Sequence, residues 1–125
     1  EIVSGDPYGA ACDVWSLGVI LYEMASFQRP FEGRSLGELV MRISSGQFKE
    51  LKEHLQDKPG GLVLEEAVQP FTAIMLVPEP KHRGTMKEVV RLPTMQVFAG
   101  SLRTSALVVA ALVRELQEPD KSKGV

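Results

Sequence analysis

"DVWSLGVILYEM", Asp13 to Met24, is the stretch on which the reading of the whole chain turns. It is apolar on nearly every side, yet it opens with a carboxylate and carries Gly18 in its middle. Its β-branched residues would suit a buried strand, but about a dozen residues is long for a strand and ordinary for a helix. Inside a helix Gly18 costs about 1 kcal/mol against alanine, which is reasonable only where another element packs close to it.

Outward from this stretch the pattern is helices separated by polar punctuation. Ser35 and Glu38 have capping-box spacing, Leu36, Leu39, Val40 and Ile43 fall on one helical face, and Gly46 stands where a C-terminal stop is expected. Gln47 to Gly61 turns polar and ends in Pro-Gly-Gly, which predicts a connecting loop with at most one short helical turn. His54 and the carboxylate pairs Glu50 with Glu53 and Glu65 with Glu66 read as solvated charge. Leu62 to Val77 predicts a further buried helix, either kinked at Pro70 or beginning there with proline in its first turn. Thr85 and Glu88 repeat the capping-box spacing ahead of Val89, Val90 and Leu92, and Pro93 stops that segment. A last amphipathic helix carries Leu102, Ala106, Val109, Val113 and Leu116 on one face, ends at Pro119 and leaves "DKSKGV" as a frayed tail.

The 125 residues are 44% hydrophobic and 24% charged, an ordinary globular mixture. A net charge of −2 gives no basic excess for a nucleic-acid partner. One cysteine and two histidines leave neither an internal disulfide nor a metal-ligand cluster of usual spacing. Cys12 reads as a small packing residue. The longest apolar run, Ala106 to Val113, is far short of the roughly 20 residues a bilayer requires, so no membrane association is expected and the compartment is intracellular, cytoplasmic by default. The chain begins with Glu1 and lacks an initiator methionine, which predicts a segment cut from a longer protein. Neither a glycine-rich phosphate loop, a G-x-S-x-G elbow, an H-E-x-x-H helix nor a C-x-x-C pair is present.

Residue order adds what composition does not. "DVWSLGVILYEM", then "RPFEG", then "SLGELVMRISSG", then "EPKHRGTMKEVVRLP" resembles the C-terminal lobe of a eukaryotic protein kinase, and "ASFQRPFEGRSLGELVMRISSGQF" is most similar to the NIMA-related (NEK) serine/threonine kinases. The resemblance covers roughly residues 1 to 93 and implies a mostly α fold, the lower half of a kinase C-lobe plus an extra C-terminal helix. It further implies that Asp13 accepts hydrogen bonds from the catalytic loop, besides serving as a helix N-cap, and that Glu1, as the last letter of the A-P-E motif, pairs with Arg83. With Trp15, these three residues would support the active site structurally. Three departures stand out: Gly84 where the family usually has proline, Glu79 where it usually has aspartate, and the unexpected Pro70.

The family's glycine-rich loop, strand lysine, catalytic-loop Asp and Asn and magnesium-binding D-F-G aspartate would all precede Glu1. No catalytic, cofactor-binding or metal-binding residue is therefore expected in this chain, and ATP and Mg would belong to the parent kinase. The expected organisation is a C-lobe fragment over 1–93, a linker and amphipathic helix over 94–119 and a tail over 120–125. The expected partners are the N-terminal part of the kinase and a protein substrate or regulator docking on Phe31, Leu36 and Leu39; the apolar stripe of the last helix either packs back on the lobe, the favoured reading, or pairs with a partner such as another copy of the chain. The alternative is a non-catalytic helical interaction module or truncated pseudokinase remnant.

Overall fold

The computed structural model describes residues 1, 2, 5 and 9–117, with side chains to residue 110. Six helices are present among the described residues and no strand: α1 (Ala10–Ser26), α2 (Leu36–Ser45), α3 (Leu51–Leu55), α4 (Gly61–Met75), α5 (Met86–Val89) and α6 (Pro93–Gln117). The fold is mostly α, as the sequence predicts. The chain divides into a unit from Glu1 to Leu92 and a second that begins at Pro93.

In the first unit α1 is the central element. It starts three residues before Asp13, with Gly9 as N-cap, so Asp13 lies inside the first turn and does not cap the helix. The carboxylate still sits near the positive end of the helix dipole, where a negative charge is favoured. Val14, Gly18, Tyr22 and Ala25 form the buried stripe. α1 packs chiefly on α4, with α3 against both. Gly18 marks the closest approach: a Cβ there would lie 2.8 Å from Met75 Cβ and 3.1 Å from Leu76 Cδ2. The glycine that weakens the isolated helix is what lets α4 reach α1.

α2 is held at both ends. Ser35 Oγ accepts from the Glu38 N–H, while the Glu38 carboxylate accepts from the Arg34 N–H, one residue outside the expected reciprocal box. At the other end Gly46, at φ 66°, donates to the carbonyls of Arg42 and Ile43. Its left-handed conformation favours glycine, and a Cβ would strike the Pro78 ring at 2.6 Å.

The segment from Gln47 to Gly61 contributes more than a loop. Glu50 and Glu53 form a full capping box around α3, and Leu51 and Leu55 are each 2% exposed in the core with Tyr22, Ala25, Phe31, Val68 and Leu76. His54 is half-buried and meets the Tyr22 ring edge-on. Glu50 and Glu53 are exposed, as the solvated-charge reading expects, whereas His54 is drawn in because Leu51 and Leu55, four residues apart, face the core.

α4 runs through Pro70, so the alternative in which the helix begins there is not taken. Buried Val68 lies before the proline and buried Phe71 and Met75 after it, so packing on both sides outweighs the lost backbone bond. The first turn of α4 is not buried as expected, since Leu62, Val63 and Leu64 are exposed. Thr85 and Glu88 form a full capping box at α5.

In the second unit, helix begins at Pro93 itself, where a stop was expected with a linker to follow it. Proline suits the first turn, whose N–H groups have no intrahelical acceptor. The expected stop at Pro119 and the tail over 120–125 lie outside the described residues, as do the side chains of Val113 and Leu116.

Gly18→Ala should therefore destabilise the first unit, although it raises helix propensity. The expected loss is about 1 to 3 kcal/mol, the usual cost of forcing extra volume into a packed contact. Urea unfolding followed through the single tryptophan measures it; an unchanged or raised midpoint would mean that α1 and α4 do not meet at this point.

Candidate functional site

The residues linking α4 to α5, "VPEPKHRG", form a tight turn because the Glu79 carbonyl accepts both the His82 and the Arg83 N–H. The Glu79 side chain points to solvent, so the substitution of glutamate for the aspartate common in the resembling family leaves this backbone arrangement intact. Gly84 closes the turn, donating its N–H to the Ile74 carbonyl at 2.8 Å. A proline could not make that bond.

The turn carries Arg83 into the interior, where only 1% of its side chain is exposed. A guanidinium has five N–H donors and no acceptor. All five are used: Nε donates to Val77 O (2.8 Å), Nη1 to Glu1 Oε1 (2.8 Å) and Ala11 O (2.7 Å), and Nη2 to Glu1 Oε2 (3.0 Å) and Pro78 O (2.9 Å). The Glu1 pair is bidentate, the strongest arrangement for this chemistry. The hydrogen bonds from Arg83 hold the Glu1 carboxyl below its ordinary pKa, against the opposing effect of burial.

The guanidinium also lies over the Trp15 ring, 4.9 Å from its centroid. Trp15 stacks on Phe31 (5.3 Å, 12°), Phe31 meets Phe48 edge-on (5.5 Å), and Phe48 meets Tyr22 (5.6 Å). The Tyr22 hydroxyl donates to Lys49 O at 2.8 Å. Burial, helped by the Glu53 charge, pushes its pKa up to about 12, so the hydroxyl remains a donor well beyond neutral pH. One buried cation and a file of aromatic rings thus join the N-terminus of α1 to α3.

Of the residues singled out from sequence, Glu1, Arg83 and Trp15 are brought together here. Asp13 is exposed and its carboxylate makes no hydrogen bond with another described residue. Phe31 is 8% exposed and belongs to the core, so it is not available as a docking residue; its ring is consumed by Trp15 and Phe48. Leu39 is half-buried against the same core, while Leu36 is 77% exposed. Sequence reasoning missed the carbonyls of Ala11, Val77 and Pro78 and the aromatic file. Neither leaves a local signal: every residue has a carbonyl, and Phe31 and Phe48 stand 16 and 33 residues from Trp15 in the chain. No group of three His, Cys, Asp or Glu able to hold a metal ion occurs among the described residues, and no described helix is long and apolar enough to cross a membrane.

A double-mutant cycle with Glu1→Gln and Arg83→Gln should return a coupling of about 0.5 to 3 kcal/mol, and strict additivity would mean the pair is not formed. Because folding lowers the Glu1 pKa, its contribution is full above the ordinary value of 4.5 and is lost as pH falls through the lowered folded value. Glu1→Gln should accordingly flatten the acid limb of a stability–pH curve between 4.5 and the lowered folded value and leave its slope near neutrality unchanged.

Comparison with known proteins now bears on this geometry. The model of the family described as protein kinase domain matches residues 1–95. The serine/threonine-protein kinase Nek8 of Danio rerio is 33% identical over 90 residues, covering 72% of this chain and 12% of that protein. The G2-specific protein kinase nimA of Emericella nidulans is 26% identical over 125 residues, covering the whole chain and 17% of that protein. In three dimensions the twitchin kinase region from C. elegans matches with a TM-score of 0.63 at 24% identity, over 76% of this chain and 16% of that one. The chain thus spans between about a tenth and a fifth of these relatives' lengths.

Proposed function

Because the chain belongs to the protein kinase domain family, we propose that it is the lower half of a kinase C-terminal lobe, in a protein that transfers the γ-phosphate of ATP to serine or threonine hydroxyls of other proteins. The observation that carries this reading is the outer face of α1. Leu17, Ile20 and Met24 lie there at helical spacing, and Phe27, the C-cap, continues the line; they are 42%, 53%, 70% and 83% exposed. A contiguous apolar face of this kind is seldom left to water. In the proposed arrangement the N-terminal part of the kinase domain covers it.

Phosphoryl transfer is mostly positioning and electrostatic stabilisation, with the nucleotide's phosphates held by a glycine-rich loop, a lysine and bound magnesium. The residues of this chain do not fit that group, lacking the phosphate loop and a metal-ligand set among the described residues. ATP and Mg would be held by the rest of the parent protein. What this chain would supply is support: Asp13 stands free at the start of α1 to receive backbone N–H groups of the catalytic loop, and Arg83 with Glu1 and Trp15 fixes the end of α1 that carries Asp13. Leu36, at the exposed start of α2, would contribute to docking of a substrate or regulator. With a single cysteine, an intracellular, cytoplasmic setting accords with this activity.

The test compares two preparations. The complete reading frame, which should encode H-R-D and D-F-G motifs ahead of Glu1, is expected to phosphorylate a generic protein substrate with Mg-ATP, whereas residues 1–125 alone should transfer none and should bind a hydrophobic dye through α1. A complete protein that is inert would favour the remnant, and magnesium-dependent turnover by residues 1–125 would overturn the assignment of roles.

Self-association has its own support in α6. Phe98, Leu102 and Val109 are more than half exposed, and Leu107 and Val108 widen the apolar surface. We infer that a second copy pairs with this helix. Val109→Asp should abolish a dimer in sedimentation while leaving the melting of the first unit unchanged; an unaltered dimer, or a monomer in both forms, would exclude the pairing.

A further inference from the structure

The loop after α1, helix α2 and helix α3 enclose a trough of about 680 Å³. A second hollow of about 430 Å³ shares Arg29, Glu32, Glu38 and Arg42 with it, so the two are continuous around the loop. The chain as a whole carries a net charge of −2, but the charges along this surface are not evenly available. Glu38 is occupied, accepting from the Arg34 N–H and from Arg42 Nη2 at 2.8 Å each. Glu53 accepts from the Glu50 N–H that begins α3 but keeps its charge. The side chains of Arg29, Arg34 and Lys49 make no hydrogen bond or ion pair with another described residue, and Glu32 and Glu53 are the carboxylates without an ion pair that oppose them along the two hollows. Met41, 64% exposed, and the half-buried ring of Phe48 line the larger hollow with Arg29 and Lys49. The surface therefore offers uncommitted positive charge beside a small apolar patch.

We propose that this trough docks an extended, Asp- and Glu-rich segment of a partner protein, one apolar side chain of which rests on Met41 and Phe48 while carboxylates on either side meet Arg29, Arg34 and Lys49. Charge complementarity selects the occupant: a basic segment would face three free cations, and a neutral one would leave them unmatched. The inference stands on the unit from Glu1 to Leu92 alone, whether or not the whole protein phosphorylates anything.

Fluorescence anisotropy tests it on the full chain with a short labelled peptide of glutamates around one leucine. The glutamate peptide should bind about tenfold more tightly than its glutamine counterpart at low salt, and the difference should shrink as salt is added. Arg29→Glu combined with Lys49→Glu should weaken binding about tenfold with the circular dichroism unchanged, and the milder Arg29→Gln with Lys49→Gln by a smaller factor. Lys81→Glu combined with Lys87→Glu, an equal change of charge outside both hollows, should leave binding as it was. Equal binding of the glutamate and glutamine peptides would overturn the proposal. So would an equal loss from Lys81→Glu with Lys87→Glu, which would indicate attraction to the overall field, or displacement of the peptide by heparin at similar concentrations, which would mark a general polyanion surface.

Discussion

A guanidinium with 1% of its side chain exposed is stable only if every one of its donors is matched, because a buried charge left unpaired is among the most costly defects a fold can carry. Arg83 meets that condition by drawing five acceptors from three separate parts of the chain: the Glu1 carboxylate, the Ala11 carbonyl at the start of α1, and the carbonyls of Val77 and Pro78 that follow α4. No two of these regions can move independently without stranding a donor. Removing either member of such a pair costs about 3 to 5 kcal/mol, a large fraction of what holds a domain this size together. The arrangement of α1, α4 and the turn between α4 and α5 follows from that constraint.

The rest of the first unit is built outward from the same point. Trp15 lies beneath the guanidinium and begins the series of ring contacts that ends at Tyr22 and His54. α3, only five residues long, is too short to persist by itself; it exists because Leu51 and Leu55 complete the core and its capping box satisfies the first turn. On the opposite side Gly18 removes the one Cβ that would keep Met75 away. Directional hydrogen bonds set the position of α1, and close packing then holds it.

Helix α1 is consequently two-sided. Its inner stripe is buried in the fold described here, while its outer line of Leu17, Ile20, Met24 and Phe27 is exposed. The proposed place of the chain in a larger kinase domain would account for this second apolar face, since a helix apolar on most of its sides is one that is covered. The family's usual proline is replaced by Gly84, and the structure shows the replacement compensated, since the restored N–H bonds to Ile74 O. A departure from the family pattern is here a different solution to closing the same turn.

Local rules were enough for much of this. The helical identity of "DVWSLGVILYEM", the stop at Gly46 and the box at Thr85 and Glu88 depend on residues within one or two turns of each other, and residue order pointed to the kinase family. Spacing rules do not carry the strength of distant packing, so Pro70 appeared to threaten α4, His54 looked solvated, and Pro93 was read as an end when it is a beginning. Phe31 was the clearest misreading: an aromatic residue in a loop has no periodicity to reveal its burial, and only the approach of Trp15 and Phe48 from distant positions decides it. Glu1 and Arg83 were suggested as a pair by resemblance. That the arginine would also need Ala11, Val77 and Pro78 was invisible, because every residue has a carbonyl and only the tertiary fold determines which carbonyls a buried cation can reach.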